Sequence, residues 1–435
     1  MADDIVNIIF ANTEKGKKYL DNFRNREEKN QQNVTETVGG ILKDIRENGD
    51  RALIKYTGRF DSKKINKSNI LVTDREIKDA YEASGSKFIK ALKAAAKNII
   101  FFHERQKRNS WMVTGDNGVI LGQQVRPLEK VGIYVPGGTA AYPSSVLMNA
   151  LPAKVAGVRD ITMVTPPLKD GTVNPKILAA ADLAGVNKIY KAGGAQAIGA
   201  LAFGTETICK VDKIVGPGNI YVAMAKKSVY GFVDIDMIAG PSEIFIIADK
   251  SADPRYLAAD MMSQAEHDVL ASAVLAVTSE KLALKVKEEL VKQIGTLERK
   301  DIILQSLKNR GAVFVVSSVE EGVDLANRIA PEHLELCISD PFSILGEVKN
   351  AGSVFMGNFS PEPLGDYMAG PNHILPTGGT AKFFSPLSVD DFIKKFSFTH
   401  YSKKSLLKVS GDIMELARSE GLTAHANSIK VRMEG

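Results

Sequence analysis

Two polar residues three positions apart, Gln264 and His267, provide the first possible chemistry in the chain. They lie on a predicted helix that Asp253 can cap and whose first turn suits Pro254. Residues three apart share one helix face, so an amide oxygen and an imidazole could bind a single metal ion. Because glutamine is an uncommon zinc ligand, a surface glutamine beside a structural histidine is also an open interpretation.

Glu332 and His333 form a second pair, in which a carboxylate stands directly beside an imidazole within the segment APEHLEL. Such a pair suits general acid–base catalysis near neutral pH, where histidine changes its charge. For the dipeptide alone, a solvated glutamate beside a structural histidine is the default interpretation.

Two further histidines have acidic residues nearby. Asp366 and His373 fall in a predicted Gly/Pro-rich loop, and such loops often carry function because a rigid scaffold positions them. Glu420 and His425 lie close together near the C-terminus. Structural interpretations are open here too, since Asp366 could hydrogen-bond a turn backbone and His425 could be a solvated tail residue.

Ser242 lies in the segment 239–243, between two series of predicted strands. A hinge at this position would let Ser242 reach a ligand in a cleft between domains, where binding sites often form. A plain interdomain turn is the alternative.

The elements that would position these residues follow a strand–turn–helix pattern. Four short apolar runs end in Gly/Pro-rich turns and lead into helical segments, at 131–135, 161–164, 188–190 and 213–215. Five more apolar runs with helices between them follow at 244–248, 273–277, 312–316, 334–338 and 353–356. Repeated units of this kind predict a parallel sheet with ligands at the carboxyl ends of its strands.

No standard nucleotide-binding motif accompanies this pattern. The nearest approach to GxGxxG, residues 193–199, has the wrong spacing, and the GxxxxGK[ST] pattern of a P-loop is absent. The residues alone therefore predict an α/β protein with a mixed nitrogen and oxygen metal site, without naming its reaction.

The simplest architecture has two α/β domains with helical extensions at both ends. Residues 1–130, including a helix over 86–103, would form an N-terminal helical segment that packs with the second α/β domain. Residues 131–240 would form the first α/β domain and residues 241–385 the second. Residues 386–435 would form a small tail domain, helical from 389 to 424.

Composition narrows the class of protein. The chain has 435 residues, of which 44% are hydrophobic and 25% charged, as in an ordinary globular protein. A net charge of +5 without a basic, aromatic-rich stripe argues against nucleic-acid binding. Two cysteines cannot build a disulfide framework and fit a reducing cytoplasm. We expect no signal peptide and no membrane span, since no apolar run reaches about 18 residues.

Taken together, these segments resemble the histidinol dehydrogenase family from about Phe23 to the C-terminus. The most specific stretch covers 235–267 and reads IDMIAGPSEIFIIADKSADPRYLAADMMSQAEH. The segments APEHLEL, LGDYMAGPNHILPT and EGLTAH follow in the family's order. The stretch 235–267 contains both the segment 239–243 and the pair Gln264 and His267, so five motifs match in order, which is far more specific than any one of them.

The resemblance implies one zinc ion per subunit, bound by Gln264, His267, Asp366 and His425. In the family, the last ligand comes from the partner subunit of a homodimer and lies on the C-terminal segment. The predicted tail domain would then complete the neighbouring subunit's site, so that the active sites are shared.

The resemblance also implies a reaction, in which L-histidinol and two NAD give L-histidine through bound L-histidinaldehyde, the last step of histidine biosynthesis. Zinc would anchor the substrate, so its four ligands would also border the substrate. His333 would bind substrate and remove the alcohol proton, and Glu332 would activate the water that hydrates the aldehyde. Ser242, His373 and Glu420 match further substrate positions, the last two beside the imidazole.

For NAD, the resemblance implies contacts from Tyr134, Gln196 and Asn219, all in Gly-rich turns at predicted strand ends. Both α/β domains would be Rossmann-like and of an incomplete dinucleotide-binding type, which accounts for the missing GxGxxG. Residues 131–240 would bind NAD, and residues 241–385 would carry zinc ligands and the acid–base pair.

Three alternatives retain part of this pattern. A dehydrogenase of another small alcohol would not need the imidazole-contacting His373 and Glu420. A zinc hydrolase with Glu332 as its base would not explain the middle α/β unit. A binding protein without turnover would not need Glu332 beside His333. The presence of all these features favours the histidinol dehydrogenase interpretation.

Overall fold

The structure is a computed structural model of the chain, and it describes residues 5–14, 16, 18, 19, 31–137 and 142–434. Phe23 and Gly138, which the sequence places at the start of the family resemblance and in the first Gly-rich turn, lie outside the described residues. The described strands are β1 (Asn7–Phe10), β2 (Trp111–Thr114), β3 (Ile120–Pro127), β4 (Lys130–Tyr134), β5 (Asp160–Thr165), β6 (Lys188–Lys191), β7 (Lys213–Val215), β8 (Asp234–Ile235), β9 (Glu243–Ala248), β10 (Ser272–Val277), β11 (Ala312–Val315), β12 (His333–Cys337), β13 (Ser353–Met356) and β14 (Ile393–His400).

Helices connect most of these strands. The α-helices are α1 (Gln31–Phe60), α2 (Asp74–Ser84), α3 (Ser86–His103), α4 (Pro143–Ala156), α5 (Pro175–Leu183), α6 (Gly194–Phe203), α7 (Ile220–Val229), α8 (Pro254–Ala265), α9 (Glu280–Ile294), α10 (Lys300–Arg310), α11 (Val319–Ile329), α12 (Pro341–Ile344), α13 (Glu362–Tyr367), α14 (Lys403–Ser419) and α15 (Thr423–Glu434). Short 3₁₀ turns occupy Glu104–Gln106, Asp116–Gly118, Leu345–Glu347, Thr380–Lys382 and Val389–Phe392. Within the described ranges, no helix has the length and apolar character that crossing a bilayer requires.

Two parallel sheets confirm the predicted α/β class. One sheet has the strand order β6-β5-β4-β7-β8, and the other has the order β1-β11-β10-β9-β12-β13. In the first sheet, β4 is central, with β5 and β6 on one side and β7 and β8 on the other. In the second sheet, β9 is central in the same way, with β10 and β11 on one side and β12 and β13 on the other. This is the doubly wound order of Rossmann-like domains, whose topological switch points lie between β4 and β7 and between β9 and β12.

All nine apolar runs singled out in the sequence are strands of these two sheets. The strands that the sequence did not predict are β1, β2, β3, β8 and β14. The prediction that the first 130 residues are helical is therefore wrong for β1, β2 and β3. None of these strands has a continuous apolar run longer than a few residues, and β2 is exposed along its whole length, so the hydrophobic signal that identified the central strands is weak in them.

The chain divides into two compact units by contacts, Met1–Gln106 with Glu129–Phe392, and Lys107–Leu128 with Ile393–Gly435. The second, here called the terminal unit, contains the antiparallel sheet β14-β3-β2 and the helices α14 and α15. The expectation of a wholly helical tail is wrong for β14, which pairs with β3 along its whole length. The predicted boundaries 131–240, 241–385 and 386–435 stay predictions.

The N-terminal helices pack on the helices of the first sheet. Leu42 and Ile45 of α1 share a buried core with Leu201 of α6. Gly199 allows this close approach, because a Cβ there would lie 3.1 Å from Leu42 Cδ2 and 3.3 Å from Ile45 Cγ2. The expectation that residues 1–130 pack with the second α/β domain is therefore wrong for α1, while β1 does join the second sheet through β11.

A buried ion pair holds the turn that follows β7. Lys226 of α7 contacts Asp236, and both side chains are almost completely buried. Lys226 Nζ donates to the Gly216 carbonyl (2.9 Å), and Asp236 Oδ2 accepts from the Gly216 N–H (2.8 Å). Gly216 has a φ of 112°, and a Cβ there would lie 2.1 Å from the backbone carbonyl oxygen of Tyr134. The ion pair thus stabilises a turn that requires glycine at the switch point between β4 and β7.

We expect Lys226→Met to lower the free energy of unfolding by about 3–5 kcal/mol, because it leaves Asp236 as an unpaired buried charge. The matched control is Lys227→Met at the exposed neighbouring position, for which we expect little change. Urea denaturation followed by far-UV circular dichroism measures both variants. Equal losses in the two variants would contradict a stabilising role for the ion pair.

Candidate active site

The candidate acid–base pair, Glu332 and His333, lies at the amino ends of the two central strands of the second sheet. Glu332 directly precedes β12, His333 is its first residue, and Glu243 is the first residue of the neighbouring strand β9. The Glu243 backbone N–H donates to Glu332 Oε2 (2.9 Å), and its carbonyl lies 3.0 Å from His333 Nδ1. Because a carbonyl can only accept, the hydrogen of a neutral His333 belongs on Nδ1, and Nε2 keeps its lone pair.

Burial sets the charge of this pair. It lowers the pKa of His333 to about 4, against the opposing effects of the Asp366 charge and the Glu243 carbonyl. It also raises the pKa of Glu332 well above its usual value, although the Glu243 N–H favours the ionised form. His333 is therefore a neutral imidazole at physiological pH, with Nε2 able to accept a proton.

Three side chains converge near His333, namely His267, Glu362 and Asp366, which we call the ligand cluster. Each offers an atom that lies within 4.8 Å of the others. Glu362 and Asp366 are one turn apart on α13, where the sequence predicted a loop; that prediction is wrong for Asp366. His267 lies just beyond the C-terminal end of α8, so the prediction that it shares a helix with Gln264 is wrong, because the helix ends at Ala265. The predicted cap of α8 is confirmed, since Asp253 accepts from the Arg255 N–H at 2.9 Å.

Like charges act strongly inside the ligand cluster. Burial and, to a lesser extent, the charge of Asp366 together raise the pKa of Glu362 to about 9. Burial also disfavours ionised Asp366, but the hydrogen bond and charge of His373 outweigh it and hold its pKa below the usual value. Such a cluster of an imidazole and two carboxyl groups suits a divalent cation.

Gln264 provides a direct test of whether the residues fit a metal ion. It lies in the last turn of α8 and is completely buried. Neither its amide oxygen nor its amide nitrogen has a hydrogen-bond partner within the described part of the chain. A buried amide without a partner costs free energy unless a ligand satisfies it. Gln264, His267 and Asp366 therefore fit the predicted role of metal ligands.

A second chain of contacts leads from the ligand cluster towards the first sheet. Asp366 Oδ1 lies 3.1 Å from His373 Nδ1, and His373 Nε2 lies 3.3 Å from the hydroxyl oxygen of Ser145. Ser145 is buried in the first turn of α4. The loop before His373 is held by Asn372, whose amide nitrogen donates to the Met148 carbonyl at 2.7 Å.

A cavity of about 220 Å³ opens among these groups. His333, Asp366 and His373 contribute polar atoms to its lining, and Phe355 and Leu364 contribute apolar surface. Its volume lies below the roughly 300 Å³ typical of pockets for drug-sized ligands. The cavity therefore suits a small, polar molecule.

Of the other predicted substrate residues, Ser242 lies beside the acid–base pair, whereas Glu420 and His425 lie in the terminal unit. Ser242 is half-buried, and its carbonyl accepts from the Ser272 N–H (3.0 Å), next to the Glu243 that holds the acid–base pair. Glu420 is the C-cap of α14 and His425 lies in the first turn of α15, so both belong to the terminal unit, where their side chains are exposed.

Sequence reasoning missed Glu362 and Ser145. Glu362 stands four residues before Asp366, a helical spacing that the surrounding prolines and glycine obscured. Ser145 gives no signal in the sequence, because only the packing of α4 brings it to His373.

The predicted cofactor residues lie at the carboxyl ends of the first sheet. Tyr134 is the last residue of β4, and its hydroxyl accepts from the Gly194 N–H (3.2 Å). Gln196, in the first turn of α6, is buried and donates through Nε2 to Asp61 Oδ2 (3.2 Å). Asn219 is exposed and caps α7, directly after the glycine turn that contacts Tyr134. Tyr134 and Asn219 thus border the switch point, where doubly wound sheets bind nucleotides, while Gln196 follows the edge strand β6.

Asp61, another residue that the sequence did not single out, ties the N-terminal region to this edge of the sheet. Besides Gln196, its carboxylate accepts from the Gly193 N–H (3.0 Å). Burial raises the pKa of Asp61, and these two hydrogen bonds partly offset that effect. The turn before α6 is therefore held by a side chain rather than by a GxGxxG motif.

Comparison with known proteins identifies the family of the chain. The family model for histidinol dehydrogenase matches residues 24–433. A histidinol dehydrogenase of Clostridium acetobutylicum is 59% identical over 432 residues, which cover 99% of this chain and 100% of that protein. One of Caldanaerobacter subterraneus subsp. tengcongensis is 59% identical over 410 residues, covering 94% of this chain and 95% of that protein.

The fold gives the same result. The crystal structure of histidinol dehydrogenase from Elizabethkingia anophelis matches with a TM-score of 0.91 and 40% sequence identity. The match covers 99% of this chain and 98% of that chain. The family that the sequence motifs suggested is therefore confirmed over nearly the whole length. The chain belongs to the histidinol dehydrogenase family, and it is an oxidoreductase.

Proposed function

We propose that the chain oxidises L-histidinol to L-histidine with two NAD, through bound L-histidinaldehyde, in the cavity beside the acid–base pair. The observation that carries the proposal is the environment of His333. Its Nδ1 is held by the Glu243 carbonyl, while its Nε2 lies 3.8 Å from Glu362 of the ligand cluster. Oxidation of an alcohol needs a deprotonated base that can accept the hydroxyl proton and that lies next to groups able to bind the substrate.

His333 is the proposed base of the first oxidation. Its Nε2 takes the hydroxyl proton of the bound alcohol as the hydride leaves the carbon, which gives the aldehyde. The Glu243 carbonyl then stabilises the imidazolium through the hydrogen on Nδ1, as the orienting acceptor does in other catalytic histidines.

Glu332 is the proposed base of the hydration step. It removes a proton from water as the water oxygen attacks the aldehyde carbon, and the resulting gem-diol can lose a second hydride. Overall, L-histidinol, one water and two NAD give L-histidine, two NADH and three protons. The Glu243 N–H keeps the Glu332 carboxyl group in place through both oxidations.

Gln264, His267 and Asp366, with His425 of the partner subunit, would hold zinc. When bound, zinc would anchor the substrate nitrogens and, as a positive charge, lower the pKa of the surrounding carboxyl groups. His373, supported by Ser145, would contact the substrate imidazole, and Glu420 and Ser242 are further proposed substrate contacts. The buried amide of Gln264, which has no hydrogen-bond partner among the described residues, supports this ligand set.

Tyr134, Gln196 and Asn219 would bind NAD, which accepts the hydride. Burial raises the pKa of Tyr134 to about 12, so its hydroxyl keeps its proton across the physiological range. A homodimer with shared sites and a cytoplasmic location complete the proposal and rest on the family resemblance and cysteine usage.

We expect His333→Asn to reduce kcat by about 10²–10⁴-fold, because the alcohol proton loses its acceptor. Glu332→Gln should lower the yield from two NADH per histidinol towards one, because hydration of the aldehyde fails. NADH absorbance at limiting histidinol measures both effects. Glu320→Gln, at an exposed position on α11, is the matched control and should keep the full yield. Unchanged turnover in both His333→Asn and Glu332→Gln would refute these roles.

The pH dependence should reflect the lowered pKa of His333. A base works when it is deprotonated, so a pKa of about 4 keeps His333 active well below its ordinary value of 6.5. We expect the acid limb of kcat/KM to lie at least about one pH unit below 6.5, with retained zinc measured at each pH. A limb near 6.5 that disappears in His333→Asn would contradict the described environment.

A shared site predicts complementation between inactive subunits. His425→Ala should weaken zinc binding by at least about tenfold, and it should be inactive as a homodimer, as should His333→Asn. Mixing the two should restore about a quarter of the wild-type activity, since half of randomly paired dimers would contain one intact site. Chelator competition and NADH formation are the measurements. No recovery after verified subunit exchange would argue against the shared site.

A further inference from the structure

A pair of carboxyl groups, of which Glu335 is buried and Asp260 is half-buried, lies next to the ligand cluster. Glu335 stands two residues after His333 on β12, so the two side chains lie on one face of the strand. Asp260 stands one turn before Gln264 on α8, so these two share a helix face. The carboxyl oxygens of Asp260 and Glu335 lie within 4.8 Å of each other and of Cys337 Sγ. The proposed reaction uses neither carboxyl group.

Glu335 also contacts the third element of the site. Its Oε1 accepts a hydrogen bond of 2.8 Å from the backbone N–H of Glu362, the first residue of α13. Asp366 follows one turn later on the same helix. Glu335 is only 1% exposed, so water does not compete for this bond, and its loss would leave a buried N–H unpaired.

We propose that Glu335, together with Asp260, is a positioning residue for metal binding. The pair joins α8, which carries Gln264, and α13, which carries Asp366, to the strand that carries His333. This inference rests on the proposed function, because it takes Gln264 and Asp366 as metal ligands. A hydrogen bond between two carboxyl groups needs one shared proton, and Oε1 of Glu335 remains an acceptor for the Glu362 N–H.

Outer hydrogen bonds of this kind orient metal ligands, and their removal typically weakens metal binding or activity by 10–100-fold. Glu335→Ala removes both contacts and should raise the zinc dissociation constant by about that factor. Glu335→Gln keeps an acceptor for the Glu362 N–H and supplies a donor for Asp260, so its dissociation constant should stay within about threefold of the wild type. Recovery by the amide separates positioning from charge.

Asp249→Ala is the matched control. Asp249 also accepts from a backbone N–H, that of Ser339 (3.0 Å), but it lies at the opposite end of the same sheet. We expect it to lower the melting temperature without changing zinc affinity. If Glu335→Ala does not fold, Asp260→Ala is the second variant; it leaves the Glu362 bond in place and should weaken zinc binding less.

Two measurements on the full-length dimer test the inference. Competition with a chromogenic chelator gives the zinc dissociation constant of each variant. Hydrogen exchange in the metal-free protein measures how well the hydrogen bond to Glu335 protects the backbone N–H of Glu362. This N–H should exchange faster in Glu335→Ala than in the wild type or Glu335→Gln. Equal zinc affinity in Glu335→Ala and the wild type, or an equal loss in Glu335→Gln and Glu335→Ala, would overturn the positioning role. A wild-type enzyme that binds no zinc would instead refute the proposed function, and amide exchange would still decide the role of Glu335.

Discussion

The backbone of Glu243 contacts both members of the acid–base pair, and this depends on the register between β9 and β12. His333 pairs with Ile244 in that register, which places the Glu243 carbonyl beside His333 Nδ1. A slip of one residue would turn both His333 and Glu335 to the other face of the sheet. Because both faces of this parallel sheet are buried, such a slip would place His333 and Glu335 in the apolar core that Leu334 and Leu336 fill. The packing of the sheet core and the geometry of the site therefore both require the same register between β9 and β12.

The two sheets share one strand order but use opposite ends of it. The candidate cofactor residues lie at the carboxyl ends of β4 and β7, as expected for a doubly wound sheet. In the second sheet, the acid–base pair and Glu243 lie at the amino ends instead. At its carboxyl switch point, Asp249 Oδ2 accepts from both the N–H and the hydroxyl of Ser339 and joins the ends of β9 and β12. The expectation of ligands at carboxyl ends therefore suits the first sheet alone.

The sequence predicted what depends on local pattern. Nine strands of the two parallel sheets contain short apolar runs, so all nine were found, and the cap of α8 followed from Asp253 and Pro254. Edge strands such as β14, which carries lysines and exposed positions, have too little apolar patterning to predict. The contact between Asp260 and Glu335 joins a helix to a strand some 75 residues later in sequence, and no spacing rule reveals such a pair. For the same reason, the sequence alone could not favour Gln264 as a metal ligand. The structure does, because it buries an amide that has no hydrogen-bond partner among the described residues.

The strand β1 has a consequence for handling the protein. Four residues near the N-terminus, Asn7–Phe10, cover the edge of β11, which would otherwise present a row of unpaired backbone groups. An uncovered edge of a parallel sheet is a template for pairing with another chain. Shortening the N-terminus past Phe10 would therefore create an aggregation-prone surface at the edge of the second sheet, and expression designs should leave this segment intact.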